Sequence, residues 1–337
     1  MKALIRWGCT VSDAPEQTIE ELLATSTAPA NIPFELKGFA DEQTAKALAD
    51  KTATYIRYIG TRLNLEDLAG VTMAFDYAKA LTEIDRGYET QHVLTPSTEI
   101  AHGVAMAPGV FRDGVLKTYL AFNAGILSHL MDPEGEYFSQ VYYQLAHECG
   151  HVHDRTAFDV AIPGLLQRPY DFGSELARIK FSLGWDSWCE YAATRLSASF
   201  YPEQVVQFEE TFFAALDGLD ERVDVAMDAF REDGDGWKCF RAVTGEYGRF
   251  LTFTSYLIGH LNGLDGDVDR APKFKEFVQS GNWLARYLIE LDEILEGIWS
   301  NYGEWKSFEE FNGIGELILL LAATHGVHLT EDGLAIY

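Results

Sequence analysis

The feature that most constrains this chain is a pair of histidines four residues apart, in the pentapeptide His147-Glu148-Cys149-Gly150-His151. On an α-helix, residues four positions apart share a face, so the two imidazoles can bind one metal ion there. Glu148 would then lie beside that ion, where it can accept a proton from a water molecule. We therefore predict a helix that carries a metal site on one face.

The surrounding sequence favours a helix with two different faces. Apolar residues at three- and four-residue spacing form a stripe of Phe138, Val141, Tyr142, Leu145, Cys149 and Val152. The motif residues fall on the opposite side with Gln140 and Gln144, which predicts that they face a cleft. Asp132, Pro133 and Glu134 form a helix start signal, with a capping acceptor, a proline and an acidic residue in the order that a first turn prefers.

Two small residues inside the motif have separate explanations. Gly150 is predicted to mark the close approach of another backbone or of a ligand, because glycine in mid-helix costs about 1 kcal/mol relative to alanine. Cys149 belongs to the apolar stripe and is expected to pack in the core. Four cysteines in 337 residues are too few for a disulfide framework. Cys189 directly precedes Glu190, a candidate ligand, but the cysteines are not spaced as metal ligands are.

A catalytic zinc site usually has three protein ligands and one open position, so a third ligand is needed. Glu190 is the best candidate, in a second helical segment for which Asp186 is a plausible N-cap. On that segment Ala193, Thr194 and Ser197 share the face of Glu190. Such small side chains would let the segment pack closely against the motif helix.

Two other carboxylates remain open as the third ligand. Glu175 and Asp154 are both near enough in sequence to reach the same site. Asp154 is better suited to accept a hydrogen bond from a ligand imidazole, since such partners orient metal-bound histidines.

The two segments together resemble the gluzincin arrangement of the zincin superfamily of metallopeptidases, in which H-E-x-x-H is followed by an E-x-x-A helix. Here the second element is Glu190-Tyr191-Ala192-Ala193. The upstream run from Tyr119 to Asn123 is also similar to the minimal zincin domain of ImmA/IrrE-type peptidases, and the resemblance covers roughly residues 68–202. It implies an α+β, zincin-like domain with a small mixed sheet, an active-site helix and a second ligand-bearing helix.

These residues predict a zinc-dependent peptidase that acts on a peptide or protein substrate, with Zn²⁺ as its cofactor and Glu148 as general base. A donor to the developing oxyanion is also needed, for which the candidates are His260, Tyr201, Tyr256 and Arg195. We include His260 in the predicted catalytic set, although a histidine on so apolar a helix is equally typical of a core. The alternative is a zinc- or peptide-binding sensor or interaction module without turnover. The presence of Glu148 argues against that alternative, because zinc binding alone requires no general base.

Composition limits the partners of this chain. There are 52 acidic and 26 basic residues, for a formal net charge of -26, which repels phosphate backbones and anionic membranes. We therefore expect neither a nucleic-acid nor a membrane partner. The apolar run within Met1 to Cys9 is short and is broken by Arg6, which favours a cytoplasmic protein over a secreted one.

Periodicity predicts an α+β amino-terminal half. We expect, in chain order, a helix over 40–63, a strand over 70–77, a helix over 78–86, and a hairpin of 103–110 and 115–122. Asp113-Gly114 supplies the hairpin turn, and Pro108 suits an edge strand. In the zincin interpretation one of these strands lies at the sheet edge over the cleft, where an extended peptide would add to it.

The rest of the chain has a helical pattern. We expect helices over 203–218, 236–262, 273–298 and 308–324, breaks at 233–236, 263–266 and Gly297, and a short hairpin over 326–337. The predicted domains are a mainly helical N-terminal extension (1–67), a zincin-like catalytic domain (68–202) and a helical region that packs on it (203–337).

Overall fold

The computed structural model describes residues 18–90, 93–96, 103–167 and 170–337. Its architecture is α+β, with a small mixed sheet in the N-terminal half and a mostly helical C-terminal half, which confirms the predicted fold class at this level. The segment from Met1 to Cys9, on which the localisation prediction rests, lies outside the described residues. Over the described ranges, every helix is too short or too polar to cross a membrane.

The N-terminal half is built around one sheet. Its elements are α1 (Ile19–Leu23), β1 (Phe34–Lys37), α2 (Glu42–Ile59), β2 (Leu68–Ala74), α3 (Tyr77–Thr82), β3 (Ala105–Met106), β4 (Gly109–Arg112), β5 (Val115–Asn123) and α4 (Ala124–Leu127). Within the described residues the sheet has five strands in the order β1-β2-β5-β3, and β4 also pairs with β5. Strands β1, β2 and β5 run parallel to one another, whereas β3 and β4 are antiparallel to β5 and form one edge.

The predicted hairpin is confirmed. Asp113 and Gly114 join β4 to β5 and both have positive φ, 53° and 79°, as a two-residue hairpin turn of this kind requires. Pro108 lies between β3 and β4, where its carbonyl accepts a hydrogen bond from the Tyr119 amide at 2.9 Å. The proline is therefore at the sheet edge, as predicted, because its missing N–H is not needed there.

Strand β1 differs from the prediction of a mainly helical extension over residues 1–67. It pairs in parallel with β2, with Phe34 opposite Val71. Phe34 and Leu36 alternate with charged residues, a pattern that could have identified the strand, but four residues are too few to decide it. Helix α2 and strand β2 agree with the predicted segments, and α3 is shorter than the helix predicted over 78–86.

The two helices of the proposed site do not begin where their sequence signals indicated. Helix α5 (Phe138–Ala161) begins six residues after Asp132, because the Asp132 side chain accepts from the Glu134 amide and closes a turn instead. Helix α6 (Glu175–Ser197) begins with Ser174 as its N-cap, so Asp186 lies inside the helix and the predicted cap was wrong. A continuous helix simply runs through Asp186.

The C-terminal half is helical up to a final hairpin. Its elements are α7 (Val205–Leu216), α8 (Leu219–Asp233), α9 (Gly236–Asn262), α10 (Pro272–Gln279), α11 (Ala285–Trp299), α12 (Asn312–Ala323), β6 (Val327–Thr330) and β7 (Gly333–Ile336). The predicted breaks at 233–236 and 263–266 and the terminal hairpin are confirmed. Helix α8 was missed, the helix predicted over 273–298 is two helices, and Gly297 lies inside α11 and is not a break.

The described apolar side chains form two main cores that meet at α5 and α6. The first core joins the sheet to α2 and to the apolar stripe of α5, and it includes Ile56, Leu120 and Cys149, each 2% exposed or less. The second core joins α6 to the C-terminal helices and includes Trp188 and Phe250. The face of α5 opposite its stripe is thus left for a site between the two cores.

Candidate metal centre

Three of the predicted ligands converge in the structure. The Glu190 carboxylate, on α6, brings its Oε2 atom to 3.2 Å from His147 Nε2 and 3.4 Å from His151 Nε2, both on α5. One ligand atom from each residue lies within 4.8 Å of the others. Two imidazole nitrogens and a carboxylate oxygen in this arrangement could hold a metal ion.

A missing side chain on α5 allows this convergence. A Cβ atom added at Gly150 would lie 2.9 Å from the Ala193 carbonyl oxygen and 3.0 Å from its Cα, so the backbones of α5 and α6 touch here. This confirms both the close approach predicted at Gly150 and the packing role of Ala193. Thr194, by contrast, faces Gly259 of α9, so the small side chains of α6 pack against two helices, α5 and α9.

The three side chains are enclosed. His147 and His151 have side chains only 10% and 12% exposed, and that of Glu190 is 21% exposed. Burial by itself raises the pKa of Glu190, but the electrostatic attraction of His151 and His147 outweighs it and holds that pKa far below its ordinary value. Glu190 is therefore an ionised carboxylate at the centre of the group.

Two buried polar atoms of the centre have unused hydrogen-bonding capacity. Glu190 Oε2 and His147 Nδ1 are both buried, and neither has a well-formed hydrogen bond to any described residue. Buried polar atoms are almost always satisfied in folded proteins, so each such exception requires an explanation. A cation between the imidazoles would supply the partner that the Glu190 oxygen lacks.

Glu148 lies on the same face of α5 and is 6% exposed. Burial raises its pKa to about 7, since the cost of desolvating the charge exceeds the attraction of the neighbouring His147. It does not belong to the converging ligand group, which leaves its carboxylate available for proton transfer.

The two rival carboxylates do not join the group. Glu175 lies in the first turn of α6, where it is exposed and accepts a hydrogen bond from Arg178 at 2.8 Å. Asp154 is buried on α5, one turn beyond His151, and accepts a hydrogen bond from the Tyr302 hydroxyl at 3.1 Å. Burial raises the pKa of Asp154 to about 7, and the Tyr302 bond and the charge of His151 oppose that rise. Its predicted role behind a ligand imidazole stays a prediction.

A cleft passes over the centre, and we divide it into two cavities. The amide cavity, of about 540 Å³, is lined by four glutamines, namely Gln140, Gln144, Gln204 and Gln207, among others. The charged cavity, of about 710 Å³, is lined by Arg155, Asp186, Glu190 and Arg249, among others. His147 and Glu148 line both cavities, so the predicted orientation of the motif toward a cleft is confirmed.

The sheet edge runs along this cleft. Gly103 and Ala105 line both cavities, and Met106 lines the charged one, so the first strand of the predicted hairpin does lie at the edge beside the motif. Arg155 fastens this edge to α5, because its guanidinium donates to the Ala107 carbonyl at 2.9 Å and to Thr118 Oγ1 at 2.7 Å. Sequence reasoning missed this role, although Arg155 lies four residues beyond His151 on the same face.

His260 does not reach the cleft. It is fully buried on α9, with Nδ1 3.3 Å from the Tyr143 hydroxyl and Nε2 3.2 Å from the Pro202 carbonyl oxygen. Burial lowers its pKa to about 4, so it is a neutral histidine of the interior. Tyr143 stands between it and His147.

Tyr256 is the oxyanion candidate that does line the cleft. Its ring stacks on His147, with centroids 5.6 Å apart and planes at 19°, and it borders both cavities. Burial, together with the charge and hydrogen bonding of Glu190, raises the pKa of Tyr256 far above its ordinary value, so the phenol keeps its proton. The sequence could not distinguish Tyr256 from His260, because one helical turn separates them on the same helix.

The remaining oxyanion candidates are elsewhere. Arg195 forms an ion pair with Glu296 and lies over the Trp299 ring, 4.4 Å from its centroid. Tyr201 packs against the first core. Neither borders either cavity as the described residues define them.

Comparisons with protein-family models, with curated proteins and with solved structures found no match to this chain.

Proposed function

We propose that this protein is a zinc-dependent metallopeptidase of the zincin superfamily, with a gluzincin-type ligand set of His147, His151 and Glu190. The observation that carries the proposal is the convergence of these three ligand atoms in a cleft that also contains Glu148 and a sheet edge. The zincin fold, the zinc ion and the hydrolysis of peptide bonds are all part of this proposal.

Two of the three spacings between the ligand atoms support zinc. With zinc–ligand bonds of 2.0–2.1 Å in tetrahedral geometry, neighbouring ligand atoms are roughly 3.3 Å apart. The two distances to Glu190 Oε2 are 3.2 and 3.4 Å. Nitrogen and oxygen donors of this kind, with a cleft left beside them, are typical of catalytic zinc sites and not of structural ones, which are closed by four protein ligands.

When bound there, zinc would polarise the scissile carbonyl and the water that attacks it. Glu148 would accept the proton of that water and pass it to the leaving amine. Because Glu148 is 6% exposed, this proton would be held inside the cleft during the transfer. The result is hydrolysis of an amide without a covalent intermediate.

Two other parts of the cleft would position the substrate. The segment from Gly103 to Met106 would pair with an extended peptide through backbone hydrogen bonds, since it belongs to an edge of the sheet. Tyr256 would donate a hydrogen bond to the oxyanion, a role in which we now prefer it to the buried His260.

The proposal is tested by exchanging the base and keeping the ligands. Glu148→Gln should retain zinc and the fold but lose cleavage of a synthetic decapeptide mixture by about a hundredfold or more, because the amide cannot accept the proton. Mass spectrometry of the products gives the rate, and Glu134→Gln, an exposed residue before α5, is the matched control.

Undiminished cleavage by Glu148→Gln would rule out the role of Glu148. A wild-type protein that binds zinc and cuts nothing in the mixture would contradict the peptidase proposal and favour the sensor or interaction module.

A further inference from the structure

We infer that the enzyme cuts internal bonds of its substrate, and that it selects an uncharged, hydrogen-bonding side chain on one fixed side of the cut. This inference rests on the proposed peptidase function and names the substrate class. It is drawn from the two cavities, which differ sharply in their chemistry.

The cleft extends to both sides of the centre. Six described residues line both cavities, and they mark where the two meet: Gly103, Ala105, His147, Glu148, Phe253 and Tyr256. The base and one metal ligand are therefore at the junction of the cavities and not at the closed end of one. Volumes of about 540 and 710 Å³ both fall in the range of ordinary ligand pockets, so each side can hold part of a peptide.

The described lining of the amide cavity has few groups that could pair with a charged chain end. Among the described residues that line it, Glu148 is the one with a carboxylate, and none is a lysine or an arginine. An α-carboxylate placed here would lose hydration without gaining a lysine or an arginine as counter-ion, which is unfavourable, and an α-ammonium group would have to pair with Glu148, the base itself. The chain end must therefore lie beyond this cavity, as it does when an internal bond is cut.

The charged cavity has guanidinium groups that are already engaged. Arg155 donates to the Ala107 carbonyl and to Thr118, and Arg249 forms an ion pair with Glu246. A substrate carboxylate would have to compete with these partners. This makes the second side poorly suited to capture a free C-terminus, although it can accommodate further residues.

The lining of the amide cavity indicates what it would select. Gln204 donates to Gln207 Oε1 at 2.9 Å and Thr211 donates to the Gln207 carbonyl at 2.8 Å, but each amide and hydroxyl group has further donor or acceptor positions. Tyr143 and Phe208 supply aromatic walls. A side chain with an amide or a hydroxyl can satisfy such a surface, whereas a charged side chain cannot be neutralised there. Among the described lining residues Glu148 is the one acidic side chain, in a chain that has 52 acidic residues.

The test uses two decapeptide libraries and the zinc-loaded full chain. One library has acetylated N-termini and amidated C-termini, and the other has both ends free, with mass spectrometry to map every cut. We expect cuts at least two residues from either end in both libraries, with Gln, Asn, Ser, Thr or Tyr enriched at one position on one side. Removal of one or two residues from free-ended peptides alone would overturn the internal-cut inference and leave the peptidase proposal standing.

A charge placed in the amide cavity tests the selectivity. Gln140→Glu should raise the relative rate for Lys or Arg at the selected position by about fivefold, as expected for one partly exposed ion pair. Gln43→Glu, in the first turn of α2, is the matched control and should leave the profile unchanged. Cutting by the wild type with no preference, or with a preference for charged residues, would overturn the selectivity. Failure to cut either library would contradict the proposed function as well.

Discussion

At the scale of single residues, the proposed metal centre depends most on Glu190, because this carboxylate is the only contribution of α6 to the candidate ligand group among the described residues. Glu190→Ala should weaken zinc affinity by at least about tenfold, since it removes one of three protein ligands. Competition with a chelator of known affinity measures the change.

Glu175→Ala is the matched control for that experiment. Glu175 is also a glutamate of α6, but it is exposed and paired with Arg178, so its removal should leave zinc affinity unchanged. Loss of affinity in the Glu175 variant, with retention in the Glu190 variant, would show that the wrong ligand has been chosen.

His260 leads to a prediction about pH. Burial lowers its pKa from 6.5 to about 4, so between these values the unfolded chain binds a proton that the folded chain does not. The contribution of His260 to the free energy of unfolding should therefore fall as pH drops through this window, by a total on the order of 3 kcal/mol. Glu148 and Asp154, whose pKa values are raised to about 7, act in the opposite direction over the same range, so urea unfolding of the wild type must be compared with that of a variant without this histidine.

His260→Gln removes the titrating group and provides the comparison. The difference in unfolding free energy between the wild type and this variant should change between pH 6.5 and 4 and be constant above pH 7. A difference that does not vary with pH would contradict the assignment of His260 as a buried neutral histidine.

Single residues differed in how far the sequence could place them. Helical spacing pairs His147 with His151, whereas the sequence favoured Glu190 but left Glu175 and Asp154 open, and the structure brings Glu190 to the two imidazoles. Tyr256 and His260 share a face of α9, so their roles depend on which turn of that face borders the cleft and which turn packs behind Tyr143. That contact is between residues more than a hundred positions apart, so the sequence alone contains no direct signal for it.

At the scale of helices, alanine substitutions at two glycines should have opposite effects on stability. Gly150→Ala should destabilise the protein by about 1–3 kcal/mol, because its Cβ would lie 2.9 Å from the Ala193 carbonyl and push α5 from α6. Gly297→Ala should stabilise it by about 1 kcal/mol, since its Cβ would meet nothing within 4 Å and alanine favours a helix.

Denaturant unfolding of both variants, with and without zinc, checks this pair. Gly150→Ala should also weaken zinc binding, because the ligands come from the two helices that it separates. Equal effects of the two substitutions would show that helix propensity and not the α5–α6 contact decides the cost at Gly150.

The helix errors have physical causes that differ from one element to the next. Helix α8 has only three buried residues, Leu219, Val223 and Met227. They are four positions apart, but the many charged residues between them obscured this apolar periodicity. Helix α5 begins late because Asp132 caps a turn and not the helix. Strong internal periodicity thus predicted that α5 and α9 exist, whereas their ends depended on local hydrogen bonds that several residues could make.

At the scale of the whole molecule, the centre lies where two hydrophobic cores meet. One core contains the sheet and the stripe of α5, and the other contains α6 and the C-terminal helices. The periodicity predicted both groups of elements. It could not predict that β1 completes the sheet or that α9 forms a wall of the cleft, because these contacts join distant parts of the chain.

The most direct test of the account is a crystal structure of the full chain with data collected at the zinc absorption edge. We expect one anomalous peak in the cleft, in contact with His147 Nε2, His151 Nε2 and a Glu190 oxygen at about 2.0–2.2 Å. A zinc-soaked crystal with no peak there, or with a zinc ion held by other residues, would contradict the central claim.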